Sequence, residues 1–164
     1  MSRRTPVSVA IALGSNLGDR LSHLAFAVDQ LRLHLTGLRV SSWHQTDPVG
    51  VGPQPRFLNG ALVGKTDLSA RELLEELLRI ERARGRERPY MGAARTLDLD
   101  LVLYGDVTLD EPGLRVPHPR FRERLFVLKP LAEIAPDWRD PETGLTISDL
   151  LRKRNEEGPN SGHG

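Results

Sequence analysis

The chain has 164 residues, 38% of them hydrophobic and 27% charged, enough for one globular domain whose core needs no staple. It contains no cysteine, which excludes disulfides and thiolate metal sites. Its net charge of +1 excludes a global basic field, so anion or nucleic-acid binding has to come from local clustering.

Arg3 and Arg4 ahead of the apolar run from Val7 to Leu13 imitate a secretory or twin-arginine signal, but Gly14 cuts the run and no small-x-small cleavage site follows. The run reads as a first buried strand, broken by Gly14-Ser15-Asn16-Leu17-Gly18. Asp19 is the expected N-cap of a first helix, with Leu21, Leu24, Val28, Leu31 and Leu35 as its apolar stripe. Leu38 to His44 reads as a second strand, Thr46 to Arg56 as a Pro- and Gly-rich loop, and Phe57 to Val63 as a third strand.

Ser69 and Glu72 make a capping box, with Leu68 and Leu73 at the positions of a hydrophobic staple, so a second helix starts there and ends at Gly85. A loop carrying Arg86 and Arg88 leads into a fourth strand from Arg95 to Tyr104. The order β-α-β-β-α-β predicts an α+β ferredoxin-like sandwich, an antiparallel sheet with helices on one face. Val107 to Leu109 is expected as a short edge strand, Pro119 to Ala135 as partly helical, and Ile147 to Arg154 as a last helix. Residues 1–154 are expected to form one domain elaborated at its C-terminal end, and the polar, Gly-rich stretch 155–164 a disordered tail. No segment approaches the roughly 20 apolar residues of a membrane span. A cytoplasmic monomer is expected, bound neither to membrane nor to nucleic acid.

Arg95-Thr96-Leu97-Asp98-Leu99-Asp100-Leu101-Val102-Leu103 carries the most chemistry. On a strand, alternate side chains share a face, so Asp98 and Asp100 point one way while Leu97, Leu99, Leu101 and Leu103 face the core. Their Cα atoms would be about 6 to 7 Å apart, close enough to hold one or two divalent cations. A solvated polar face would leave two mid-strand aspartates unexplained, since Asp is depleted in strands. Oxygen ligands without Cys or nearby His suit Mg²⁺ or Mn²⁺, and magnesium suggests phosphate.

Arg82 and Arg84 fit a solvated helix end, whereas Arg86 and Arg88 in the loop suit closure over a polyphosphate. His118, between Pro117 and Pro119, has a restricted backbone and is placed to donate to a phosphate oxygen. Thr46, Val49, Phe57 and Asn59 combine a rigid loop, an aromatic ring and an amide, equally the parts of a heterocycle site and of an ordinary turn and strand.

Together these segments resemble the 6-hydroxymethyl-7,8-dihydropterin pyrophosphokinase family of the folate pathway, from about Val9 to Pro136. The resemblance rests on Ile11-Ala12-Leu13-Gly14-Ser15-Asn16-Leu17-Gly18, Phe57-Leu58-Asn59, Arg79-Ile80-Glu81, Gly85-Arg86, Arg95 to Asp100, Val116-Pro117-His118 and Pro130-Leu131-Ala132-Glu133-Ile134-Ala135-Pro136. It implies transfer of pyrophosphate from ATP to the hydroxymethyl group of the pterin, giving AMP. Asp98 and Asp100 are similar to the family's ligands for two magnesium ions, and Arg86 and Arg95 to its phosphate-binding catalytic arginines, with Arg88 in the same loop. The resemblance makes Glu81, Leu101, His118 and Arg124 nucleotide contacts, and Thr46, Val49, Phe57, Asn59 and Phe126 the pterin pocket, with the two aromatic rings on either side of the heterocycle. The hydroxyl proton would pass to Asp98 or Asp100, or a metal would lower the hydroxyl's pKa.

The chain departs from the family pattern at Gly92-Ala93-Ala94-Arg95, where a Trp often stands three before the arginine, in a loop one residue shorter. It departs again at Gly113, where an Arg is expected, and at Pro119. Two other classes share parts of this signature. An RNA-binding ferredoxin-like module would need an aromatic-rich strand that is missing here, and a two-metal nuclease would use the same aspartates.

Overall fold

Strand β1 (Val7–Ser15) sits at the centre of the sheet because it alternates large apolar side chains with small ones. Val9, Ile11 and Leu13 fill one face, while Ala10, Ala12 and Gly14 leave room on the other. The computed structural model describes residues 5–46, 56–84 and 96–157. After β1 come α1 (Arg20–Leu31), β2 (Thr36–Val40), β3 (His44–Thr46), β4 (Phe57–Thr66), α2 (Ala70–Ala83) and β5 (Asp98–Tyr104). The short strands β6 (Leu109–Glu111) and β7 (Leu114–Val116), a 3₁₀ turn (Phe121–Glu123), α3 (Leu125–Ile134) and α4 (Ile147–Glu156) complete the chain.

The main sheet runs β2-β4-β1-β5 with β3 also on β4, and β1 pairs antiparallel with both β4 and β5. This is the ferredoxin-like order expected from the sequence. Helices α1 and α2 cover the Val9–Ile11–Leu13 face with Leu24, Val28, Leu31, Leu73, Leu77 and Ile80. Each such aliphatic side chain, once buried, stabilises the fold by about 2 kcal/mol relative to exposure. The opposite face, bare in a minimal fold of this kind, is covered by α3 and α4 through Val127, Leu128, Leu131, Ile147 and Leu150.

Both helix starts expected from sequence are present. Asp19 accepts the Ser22 amide at 3.1 Å, and the Ser69–Glu72 box closes in both directions at 3.1 and 2.8 Å. Leu21 is a correction: it is 58% exposed, while Leu24, Ala27, Val28 and Leu31 are buried. The expected single strand over 38–44 is divided. At Ser41 the hydroxyl accepts the Ala61 amide while the Ser41 amide donates to Ala61 O, and Trp43 lies against Gly60 where a Cβ would collide with the ring. The expected edge strand over 107–109 is instead a separate hairpin, β6 with β7, turned by Pro112-Gly113 with Gly113 at φ 74°.

The aspartate strand begins at Asp98, not at Arg95, because Thr96 leaves the ladder and donates its hydroxyl to Arg84 O at 2.6 Å. Leu103 is a further correction. The pairing Ala10 with Leu103 and Ile11 with Leu101 leaves Val102 as one extra residue, a β-bulge. Leu97, Leu99 and Leu101 therefore face α1 and α2, whereas Leu103 packs with α3 and α4.

The last helix reaches Glu156, inside the stretch expected as a tail, and residues 158–164 lie outside the described residues. Among the described residues no helix is long and apolar enough to cross a membrane.

Candidate active site

Residues paired across an antiparallel ladder share a face, so the register assembles the site. Gly14 pairs with Asp98 on one side and Asn59 on the other, and Asn59 pairs with His44. One row across the sheet therefore reads Asp98, Gly14, Asn59, His44. On one side of this row Asp100 stands beside Ala12, and on its other side Phe57 of β4 pairs with Thr46. Asp98, Asp100, Phe57, Asn59 and Thr46 all project from the face that α3 covers, and α3 brings Phe126 over the same face.

The Asn59 amide is oriented from two sides. Its Nδ2 donates to Thr46 Oγ1 at 2.6 Å, and its Oδ1 lies over Gly14, only 2.7 Å from where a Cβ would stand there. A residue with any side chain at position 14 would push the amide away.

The acidic end is held from behind. Glu81 of α2 is buried, and its carboxylate accepts the Leu99 amide at 2.8 Å, between the two aspartates. Sequence reading expected Glu81 at the nucleotide; in the fold this oxygen is engaged with the strand. His118 is placed by the bulge, since its amide donates to Val102 O at 2.9 Å. Its Nδ1 accepts the Arg120 amide at 3.2 Å, which leaves the proton on Nε2. Burial, then the Arg124 guanidinium, pushes the imidazole down to about 4 against the pull of Asp98, so His118 is neutral at pH 7 and donates through Nε2.

Arg124, the residue before α3, stacks over the Phe126 ring at 5.5 Å. Burial lowers its pKa although Asp100 and Asp98 favour its charge, and its Nε is buried with no hydrogen-bond partner. A buried donor in that state is matched by an anionic acceptor, as a phosphate oxygen would provide. Beside these groups a cleft of about 270 Å³ opens along β5, lined by Asp100, Leu101, His118, Leu74, Gly113 and Arg115 among others. Among the described residues β5 pairs with one neighbour, β1, so the cleft runs along an edge of the main sheet.

Among the described residues no three His, Cys, Asp or Glu side chains cluster as a complete protein cage for a metal. Two carboxylates on one face fit Mg²⁺, which takes one or two protein carboxylates and completes its shell with water and phosphate. Of the residues expected at the site, Arg86, Arg88, Arg95 and Val49 lie outside the described residues.

Residues 10–136 match the profile of the 7,8-dihydro-6-hydroxymethylpterin-pyrophosphokinase (HPPK) family. The chain belongs to this family. Like it, the 2-amino-4-hydroxy-6-hydroxymethyldihydropteridine pyrophosphokinase of Synechocystis is 45% identical over 87% of this chain and 74% of its own length. The enzyme of the same name from Pseudomonas aeruginosa is 44% identical, over 87% and 89%. The structure of Plasmodium falciparum HPPK-DHPS superposes with a TM-score of 0.73 at 14% identity, over 93% of this chain. This chain spans 45% of that longer protein, and the likeness supports the fold.

Several groups that shape this HPPK site escaped sequence reading. Arg20 donates to Arg56 O at 2.8 Å and Gln45 Oε1 at 3.2 Å, bridging the stems on either side of residues 47–55. His44 and Glu133 meet across the site face. Their signals were present, His44 at the alternate position to Thr46 and Glu133 inside the Pro130–Pro136 motif, but only the three-dimensional pairing joins them.

Proposed function

We propose that this chain transfers the pyrophosphoryl group of ATP to the hydroxymethyl oxygen of 6-hydroxymethyl-7,8-dihydropterin, giving AMP and the pterin pyrophosphate, with two Mg²⁺ ions held by Asp98 and Asp100. The observation that carries this reading is the row Asp98–Gly14–Asn59. It puts a carboxylate pair and an oriented amide on one face, with backbones about 10 Å apart at two strand spacings.

Phe57 and Phe126 stack the heterocycle, and Asn59 with Thr46 reads its donor and acceptor edge. The adenosine end lies in the β5 cleft at Leu101, with Glu81 behind the strand. His118 Nε2–H and Arg124 donate to phosphate oxygens. Arg86, Arg88 and Arg95 add cationic donors. When bound, the magnesium ions supply the charge that neutralises the triphosphate as AMP departs. The chain's own contribution is position: the pterin oxygen forms a bond to the β-phosphorus as the bond from that phosphorus to the α-phosphate oxygen breaks, and the two must be held in line. The chain acts as a monomer.

A coupled assay for AMP, with and without Mg²⁺ and with and without the pterin, tests substrate, reaction and metal together. AMP should appear only with all three. Asp98→Ala and Asp100→Ala should each abolish turnover while the circular dichroism spectrum is retained, and near-normal turnover in either would overturn the metal assignment.

A further inference from the structure

Glu133 of α3 accepts hydrogen bonds from three groups at once. The Ser42 hydroxyl donates at 2.8 and 2.9 Å, the Ser42 amide at 3.1 Å, and His44 Nε2 closes on the same carboxylate. The Ser42 hydroxyl also approaches the same imidazole nitrogen, Nε2, at 3.3 Å, so the three do not form a nucleophile relay, which would need both ring nitrogens. The carboxylate instead ties the short edge strand β3 to the helix that carries Phe126. From the opposite face the same segment is held by Trp43 against Gly60.

Strand β3 is three residues long and, among the described residues, pairs with β4 alone. A strand this short supplies little ladder energy of its own and depends on its side chains for register. Two residues beyond His44, on the same face, stands Thr46, the acceptor for Asn59 Nδ2. The chain of contacts runs Glu133 to His44, through the β3 backbone to Thr46, and on to Asn59.

We infer that His44 and Glu133 are a positioning pair, which holds Thr46 against Asn59 so that the amide presents a fixed edge to the pterin. This rests on the reading that Thr46 and Asn59 bind the pterin. Neither His44 nor Glu133 touches the acidic end of the site, so the pair acts on one substrate and not the other.

The test is steady-state kinetics on the full chain with ATP, Mg²⁺ and 6-hydroxymethyl-7,8-dihydropterin. His44→Ala should raise KM for the pterin roughly tenfold while kcat and KM for ATP stay within about twofold, the pattern of lost binding that is equal in ground and transition states. His44→Gln, whose amide keeps a donor for Glu133, should recover pterin KM to within about threefold of the parent. Should His44→Ala not fold, Glu133→Ala, on the surface of α3, is expected to give the same split. Unchanged pterin KM, a parallel rise for ATP, or a Gln variant as impaired as Ala would overturn the inference. Asn59→Ala separates the two levels. If it leaves pterin KM unchanged the pocket assignment itself fails, whereas a large rise there with none in His44→Ala sinks the positioning pair alone.

Discussion

The carboxylate of Glu81 accepts the amide hydrogen of Leu99 at 2.8 Å, so an acid from helix α2 fixes the one residue that separates Asp98 from Asp100. Among the described residues this strand pairs with β1 alone, and the bond supplies part of what a second partner strand would give. Glu81→Ala leaves a buried amide unsatisfied and should cost about 1–3 kcal/mol in urea denaturation, with kcat falling more than pterin affinity. Glu81→Gln, which keeps an acceptor oxygen, should recover most of both.

Gly14 is required by contact with Asn59 and not by its backbone, since its φ is not among the positive ones. Gly14→Ala should weaken pterin binding by roughly tenfold or more in calorimetry, because Asn59 Oδ1 must leave its position, while nucleotide affinity changes little. Equal losses for both ligands would show that the whole sheet had shifted.

His118 gives a pH signature. Its folded pKa of about 4 lies below the unfolded value near 6.5, so between these values the unfolded chain binds the extra proton. Stability due to this group therefore rises with pH across that window and is level above it. Proton NMR of the ligand-free protein should place the imidazole midpoint near 4, and His118→Gln should flatten the pH dependence of the denaturation midpoint between about 4 and 6.5.

Asp140 is wholly buried and takes a bidentate pair from Arg122 at 2.5 and 2.8 Å, with Thr143 and the Glu142 amide completing its shell. Burial pushes its carboxyl up, but these hydrogen bonds outweigh it and hold the pKa below the usual range. Asp140→Ala leaves Arg122 with Glu142 alone and takes the acceptor from Thr143 and the Glu142 amide, and should cost about 1–3 kcal/mol of stability. Pterin KM measured below the melting transition should not change, as the pair joins the 3₁₀ turn to the segment before α4 and lies outside the site.

Local signals made most of this legible. The capping box at Ser69, the Asp19 cap and the alternation of Asp98 and Asp100 with leucines are written within a few residues, and they came out as read. What failed was set by tertiary pairing. Leu21 fitted the helical stripe yet faces solvent in the first turn, while Leu24, Val28 and Leu31 of the same stripe are buried. Leu103 fitted the alternation yet crosses to the other core, because a bulge has no marker in a run of leucine and valine. His44 and Glu133 are 89 residues apart, and no local pattern links them.

The extra residue at Val102 acts as a phase-shifter within a seven-residue strand. Deleting it would leave Leu101 and Leu103 opposite Ile11 and Ala10 in an unbroken ladder, so both carboxylates would keep their face, but the carbonyl that holds the His118 amide would be gone. The spare residue thus serves the imidazole, as a moorage for its backbone, and the acidic pair is indifferent to it.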